Sequence, residues 1–125
     1  MLSRLISTTK KTGDAAERIA EKYLAAQGLK VMARNYRCRF GEIDLVMQER
    51  ETLVFVEVRL RRVHKGNDFG GAAASITATK QARIIAAAQH YLAGMKQLPP
   101  CRFDAILMNA ANESSVEWMK GAFEA

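Results

Sequence analysis

Acidic residues stand in the middle of two apolar, strand-like runs, and any chemistry is first to be sought there. The segment from Gly41 to Arg62 reads Gly-Glu-Ile-Asp-Leu-Val-Met, then a polar break, then Leu-Val-Phe-Val-Glu-Val-Arg-Leu-Arg-Arg. Carboxylates in mid-strand add nothing to stability where Val or Thr would pack. Side chains alternate along a strand, so Glu42, Asp44 and Val46 are expected on one face and Ile43, Leu45 and Met47 on the other. On the next run Leu53, Phe55, Glu57 and Arg59 share a face, opposite Val54, Val56, Val58 and Leu60. If the two runs pair as a hairpin, Asp44 and Glu57 converge with Arg59 beside them. Crowded carboxylates repel, and their pKa values rise unless a cation neutralises them. Hard oxygen ligands of this kind suit Mg²⁺ or Mn²⁺, with waters and substrate phosphate completing the shell. Such a metal polarises a phosphoryl oxygen and lowers the pKa of a bound water. The same residues also allow a plainer arrangement, in which Asp44 and Glu57 pair with Arg59 and neighbouring arginines. Spacing alone leaves both open.

The elements that must position these groups follow from periodicity. Met1 to Thr12 is basic, with no acidic residue, and reads as a flexible arm (residues 1–12) ahead of a single domain (13–125). Gly13 to Gly28 reads as the first helix, with Asp14 as a cap, a stripe of Ala16, Ile19, Ala20, Tyr23 and Leu24, and Gly28 as its stop. Glu17 sits at the edge of that stripe; it is a site candidate or a first-turn acid favoured by the helix dipole. Leu29 to Cys38 reads as the first strand, and Gly41 marks the turn into Glu42 to Gln48. A charged turn at Gln48 to Thr52 makes the next strand, Leu53 to Leu60, an antiparallel partner. Gly66, Asn67, Asp68, Gly70 and Gly71 mark a loop. Ser75 to Met95 is the longest helical pattern, with a stripe of Ile84, Ala87, Ala88, Tyr91, Leu92 and Met95. Lys80 lies on the same face one turn upstream, either a cation aimed at the core side or a lysine that snorkels to solvent. His90 reads as a surface histidine. After Pro99-Pro100, Cys101 to Asn109 is a strand in which Asp104 is expected to pair with Arg102 or to cap a hairpin. Val116 to Phe123, carrying Trp118, is an edge strand. The expected fold is α/β, a mixed central sheet flanked by helices in the order α-β-β-β-α-β-β. A helical crossover places a parallel neighbour in the sheet.

Composition narrows the classes. A chain of 125 residues with 49% hydrophobic and 26% charged residues forms one ordinary domain. A net charge of +6 favours polyanionic partners, because Lys and Arg contacts to phosphates release counterions. Two cysteines, Cys38 and Cys101, without a CxxC or Cys/His cluster, argue against a zinc site or a disulfide framework. No apolar run approaches the ~20 residues of a membrane span. The N-terminus lacks a signal-peptide core, so a cytoplasmic protein is expected. No Gly-x-x-x-x-Gly-Lys-Ser/Thr loop or Rossmann fingerprint is present, so no nucleotide cofactor is expected.

An Asp on one strand followed by Glu-x-Arg on the next resembles the PD-(D/E)xK nuclease superfamily and its restriction-endonuclease-like fold. More closely, Gly41-Glu42-Ile43-Asp44-Leu45, Phe55-Val56-Glu57-Val58, Lys80 and Arg102-Phe103-Asp104 resemble the bacterial YraN-type family. The first helix (Glu17, Ala20, Tyr23, Leu24), Gly28 and Arg34-Asn35 fit the same pattern. That family is similar to archaeal Holliday-junction resolvases. The resemblance spans Glu17 to Phe123 and is most specific in the hairpin. It implies a metal-dependent endonuclease acting on DNA, including branched or damaged DNA, with Asp44, Glu57 and the Val58 carbonyl as ligands of Mg²⁺ or Mn²⁺. Glu17 would be the acid from the first helix, and Glu42 would stand near the metal or its water. Arg37, Arg39, Arg61, Arg62 and Lys65 would contact the nucleic-acid backbone. Resolvase-like folds often act as dimers, so a homodimer belongs to the same expectation.

Two positions depart from the pattern: Ala16 stands where Gly is usual, and Arg59 where the motif has Lys. Arg keeps the charge and can clamp phosphate, but it is effectively never deprotonated and cannot act as a base. Lys80 is the ammonium that could take the lysine's place. Arg59 also favours an alternative, a nucleic-acid-binding module of the same fold that has lost catalysis. A protein-interaction scaffold with a salt-bridged hairpin is the third reading.

Overall fold

A computed structural model describes residues 2–60, 76–109 and 115–125, with side chains from Asp14 onward. The described elements are α1 (Leu2–Ala26), β1 (Lys30–Cys38), β2 (Gly41–Glu49), β3 (Thr52–Leu60), α2 (Ala78–Leu92), β4 (Cys101–Met108) and β5 (Glu117–Phe123). This is the expected order. One five-stranded sheet runs β1-β2-β3-β4-β5. The β3–β4 pair, joined through α2, is parallel, and the other neighbours are antiparallel.

Each helix covers one face of the sheet. On the α1 side, Ala16, Ala20, Leu24 and Leu29 pack with Leu45, Met47, Val54, Val56, Ile106 and Met108. On the α2 side, Ile84, Ala87 and Ala88 pack with Ile43, Val46, Phe55, Phe103, Ala105 and Phe123. The inner strands β3 and β4 are therefore buried on both faces, which is why they read as nearly unbroken apolar runs. Among the described residues no helix is long and apolar enough to cross a membrane.

The helix boundaries differ from those expected. The α1 backbone is helical from Leu2, through the segment read as an arm, so Asp14 lies inside the helix and is not its cap. Nothing before Gly13 breaks a helix, and one interior Gly costs only about 1 kcal/mol relative to Ala. At the other end Gly28 adopts φ +100, and the Leu29 N–H reaches back to the Leu24 carbonyl at 3.0 Å, as the sequence implies. The second helix starts at Thr77, whose hydroxyl accepts the Lys80 N–H at 3.1 Å. It ends at Leu92, so Met95 falls beyond it, at 39% exposed, and is not part of the buried stripe.

Strand alternation also fails in the β1–β2 pair, once at the register shift between Val31 and Ala33 and again at a rung that builds the site. Ile43 packs with Val46 on the α2 side, three residues apart, whereas Leu45 and Met47 face α1. Their β1 partners Tyr36 and Ala33 are likewise three apart on the α2 side. Between them the register passes from Arg34–Leu45 to Tyr36–Ile43 and skips Asn35 and Asp44. Asn35 has φ +49, a left-handed turn that Asn tolerates better than most residues and that rotates the strand. Asp44 is thereby released from the face it was expected to share with Glu42 and Val46.

At the far edge, Asp104 is fully buried and accepts Arg102 Nε at 2.8 Å and Nη2 at 3.0 Å, Trp118 Nε1 at 2.9 Å and the Gly121 N–H at 3.0 Å. Arg102 also reaches Glu49 at 2.8 Å. The β4–β5 register shifts at this point, and Asp104 takes the N–H that the irregular ladder leaves over. Its role is structural, as expected, with two partners more than the sequence shows.

Candidate functional site

The β2–β3 ladder runs from Glu49–Thr52 to Leu45–Val56 and stops. At the next rung the Asp44 carboxylate takes over from the backbone: its Oδ2 accepts the Val58 N–H at 2.8 Å. Glu57, 5% exposed, lies against Asp44 and shares a hydrogen bond with it. Two cations meet the same Glu57 oxygen. Arg59 Nη1 stands 3.5 Å from Oε2, coming from β3, and Lys80 Nζ stands 3.6 Å from it, coming from the first turn of α2. Both are looser than a tight charged hydrogen bond. From the other side of the sheet Glu17, on α1, hydrogen-bonds to Asp44 and to the Asn35 side chain. The left-handed Asn35 thus serves the site twice, by freeing Asp44 and by holding Glu17.

Electrostatics mark the cluster as short of positive charge. Burial pushes the Glu57 carboxyl well above the ordinary range, the Asp44 charge adds to this, and Lys80 and Arg59 only partly offset it. Asp44 is also raised, by burial, against the pull of the Val58 N–H, Glu57 and Lys80. Glu17 is pushed up to about 7, first by burial and then by Asp44, with Asn35 opposing. The carboxyls form a chain, Glu17 to Asp44 to Glu57, with Asp44 in the middle. Among the described residues no three His, Cys, Asp or Glu side chains converge on one point where a metal ion would sit. The donor set fits Mg²⁺ or Mn²⁺ held through two carboxylates, because these ions keep several waters and bind substrate phosphate rather than fill an all-protein cage.

The structure brings Asp44, Glu57, Arg59, Lys80 and Glu17 together and leaves other expected residues at the margin. Val58 contributes its N–H to Asp44. Glu42 turns outward and pairs with Arg37 at 3.1 Å, close enough only to raise Asp44 slightly through space. Arg39 lies over the Phe40 ring, 4.9 Å from its centre. Arg61, Arg62 and Lys65 lie outside the described residues. Sequence reasoning noted Asn35 only as part of the family pattern and missed its place in the site, for which the one physical signal is that Asn tolerates left-handed backbone. It also missed Arg83, which lines a cavity of about 260 Å³ with Arg37, Cys38, Gly41, Glu42, Lys80 and Ile84. His90 is exposed, as expected, yet it hydrogen-bonds to the Tyr36 hydroxyl through Nδ1.

A two-layered cover of one mixed sheet, with acids from two strands and one helix meeting at a kinked rung, defines the class of domain. The chain belongs to the uncharacterised protein family UPF0102, whose sequence profile matches residues 16–108. That span contains every group of the acidic cluster and bears out the resemblance to the YraN-type family. A UPF0102 protein of Nitrosomonas europaea is 51% identical over 119 residues, covering 95% of this chain and 98% of that protein. One from Methylobacillus flagellatus is 54% identical over 116 residues, covering 93% of this chain and 99% of that protein. One from Ralstonia nicotianae is 56% identical over 114 residues, covering 90% and 85%.

Proposed function

We propose that the protein is a metal-dependent endonuclease-like hydrolase of DNA phosphodiester bonds, related to the PD-(D/E)xK nucleases and the archaeal resolvases. The observation that carries this reading is the buried Asp44–Glu57 pair, whose proton affinity stays high although Lys80 and Arg59 are both within reach. A structural ion pair would be expected to hold its carboxylates low, not high. Asp44 and Glu57 would hold Mg²⁺ or Mn²⁺, which when bound polarises a phosphoryl oxygen and lowers the pKa of a coordinated water. Glu17 orients Asp44 from the α1 side and accepts a proton near neutral pH. Lys80 offers a flexible ammonium to a phosphate oxygen, and Arg59 a fixed guanidinium. Arg37 and Arg39 extend the positive surface along which a DNA backbone lies.

The experiment is incubation with linear, flapped and four-way DNA in Mn²⁺, beside the Glu57→Ala variant. Cleavage that disappears in the variant supports the reading; cleavage unchanged in it points to a contaminant and sinks the reading. A second reading, a nucleic-acid-binding module without turnover, is favoured by Arg59 in place of the motif lysine. It predicts DNA binding with steep salt dependence that neither Mn²⁺ nor Asp44→Asn alters.

A further inference from the structure

One exposed ring has no place in either core. Phe40 stands at the β1–β2 turn, 43% exposed, between Arg39 and the glycine that opens β2. It is held in position from behind. The His90 ring lies 5.9 Å from it, and His90 is fixed by the Tyr36 hydroxyl. Tyr36 meets Tyr91 edge-on at 5.1 Å, and Tyr91 meets the fully buried Phe55 at 6.0 Å. A chain of rings therefore runs from the core to the surface and ends on the exposed Phe40 ring, with the Arg39 guanidinium over it, 4.9 Å from its centre.

Next to this ring is the cavity lined by Arg37, Lys80 and Arg83, three cations with the single acid Glu42, itself paired with Arg37. Gly41 shapes that wall: a Cβ there would lie 2.8 Å from the Arg83 carbonyl, so only glycine lets the turn approach α2 this closely. Lys80, Arg83 and His90 recur along α2 with the spacing of one helix face. Ten residues of helix span about 15 Å. One end of that line touches Glu57 and the other touches Phe40.

We propose that Phe40, flanked by Arg39 and His90, is a stacking platform for an unpaired base of single-stranded DNA, and that Arg37, Lys80 and Arg83 take the adjoining phosphate. This rests on the nuclease reading for its substrate and narrows it, to DNA with unpaired nucleotides beside the cut. A ring and a cationic groove together are the chemistry of single-strand binding, because every base has a π-face and a duplex hides it.

The test measures binding, with no cleavage required. The Glu57→Gln chain is titrated in EDTA against a fluorescent single-stranded DNA and the blunt duplex of the same sequence. Adding Phe40→Ala should weaken the single strand about tenfold and the duplex less than about twofold. Phe40→Trp, which keeps a ring, should restore single-strand binding. Arg83→Ala should weaken both DNAs and flatten their salt dependence. Equal losses on single strand and duplex, no loss with Phe40→Ala, or no single-strand binding at all would overturn the platform. Tighter binding of the matching RNA strand would overturn its assignment to DNA. Phe40-dependent binding without any Glu57-dependent cleavage in Mn²⁺ would leave the platform standing and remove the nuclease reading.

Discussion

In metal-free buffer the protein should lose stability as pH rises from 5 to 8.5, and the loss should trace to Asp44 and Glu57. Burial and Asp44 raise the Glu57 carboxyl from 4.5 to about 8 in the folded chain. Below pH ~4.5 folded and unfolded chains both hold the proton, and the stabilisation is fully present. Above it the unfolded chain releases the proton first, so stability falls until the folded pKa is passed. At about 1.4 kcal/mol per pKa unit the upper bound is ~5 kcal/mol. Sharing of the proton with Asp44 and local relaxation bring the expected loss to about 2–3 kcal/mol. Glu17 changes in the same direction but is only half-buried, and solvent screening leaves it less than ~1 kcal/mol. Glu21, held low by Arg34, acts in the opposite sense, below 4.5 and outside this window.

For a chain of this length 1 kcal/mol moves the melting temperature by roughly 4 °C, so a fall of about 10 °C is expected. The assay is thermal unfolding by circular dichroism across the pH range, in EDTA and in Mn²⁺, for wild type and Asp44→Asn. The amide oxygen can still accept the Val58 N–H, and its NH₂ can donate to Glu57, so the variant removes charge with little change of shape. Asp44→Asn should be more stable than wild type at pH 8, lose most of the pH slope, and show no gain from Mn²⁺. The difference between wild type and variant is the quantity to read, because every other group of the chain is common to both. A flat wild-type profile, or a variant that follows wild type point for point, refutes the reasoning.

Asp104→Ala should cost about 3–5 kcal/mol in urea unfolding, because it leaves Arg102, the Trp118 indole and the Gly121 N–H without their buried partner. Its response to Mn²⁺ should be unchanged if the two clusters are independent. Gly41→Ala should cost roughly 1–3 kcal/mol in the same assay, since its Cβ would meet the Arg83 carbonyl rather than a flexible side chain. For cleavage of branched DNA, Lys80→Ala should reduce kcat at least ~100-fold, and Arg59→Lys should keep or raise it. If Lys80→Ala cleaves as well as wild type while Arg59→Ala is inactive, the assignment of the ammonium to α2 fails.

The element order was legible because each boundary has a strong local marker, such as Gly28, the charged Gln48–Thr52 turn and Pro99-Pro100. Helical spacing put Lys80 on the core-side face but left open whether it snorkels to solvent, and the 3.6 Å approach to Glu57 decides this. The start of α1 was not, because Gly13 looks like a boundary and is only a weak spot within the helix. The kink at Asn35 was not legible either, since one left-handed residue has no periodic signature and yet reverses which side chains face each helix. Strict alternation therefore placed Glu42 beside Asp44 at the site, whereas the kink leaves Glu42 outside with Arg37 and brings in Glu17 instead. The Trp118 and Gly121 contacts of Asp104 depend on the β4–β5 register, which no turn of canonical length announces.

The question of Arg59 narrows once distances are set beside residue types. In the nuclease pattern a lysine two positions after the strand glutamate brings an ammonium to the site from the sheet. Here that position carries a guanidinium 3.5 Å from Glu57 Oε2, and a helix lysine reaches the same oxygen at 3.6 Å. The two cations are thus equivalent in reach and differ in chemistry. Arg59 is short of freedom, fixed to a strand beside Glu57, and cannot shed its proton. Lys80 is anchored by a capped first turn, with its N–H on the Thr77 hydroxyl, and it also lines the cationic cavity toward Phe40. A residue that touches both the acidic pair and the cation-lined cavity is the better placed of the two to meet a bound anion. On the nuclease reading we therefore propose that the lysine function would pass from β3 to α2. The Thr77→Ala variant provides an indirect check: loosening the cap should weaken catalysis through Lys80 while leaving Arg59 where it is.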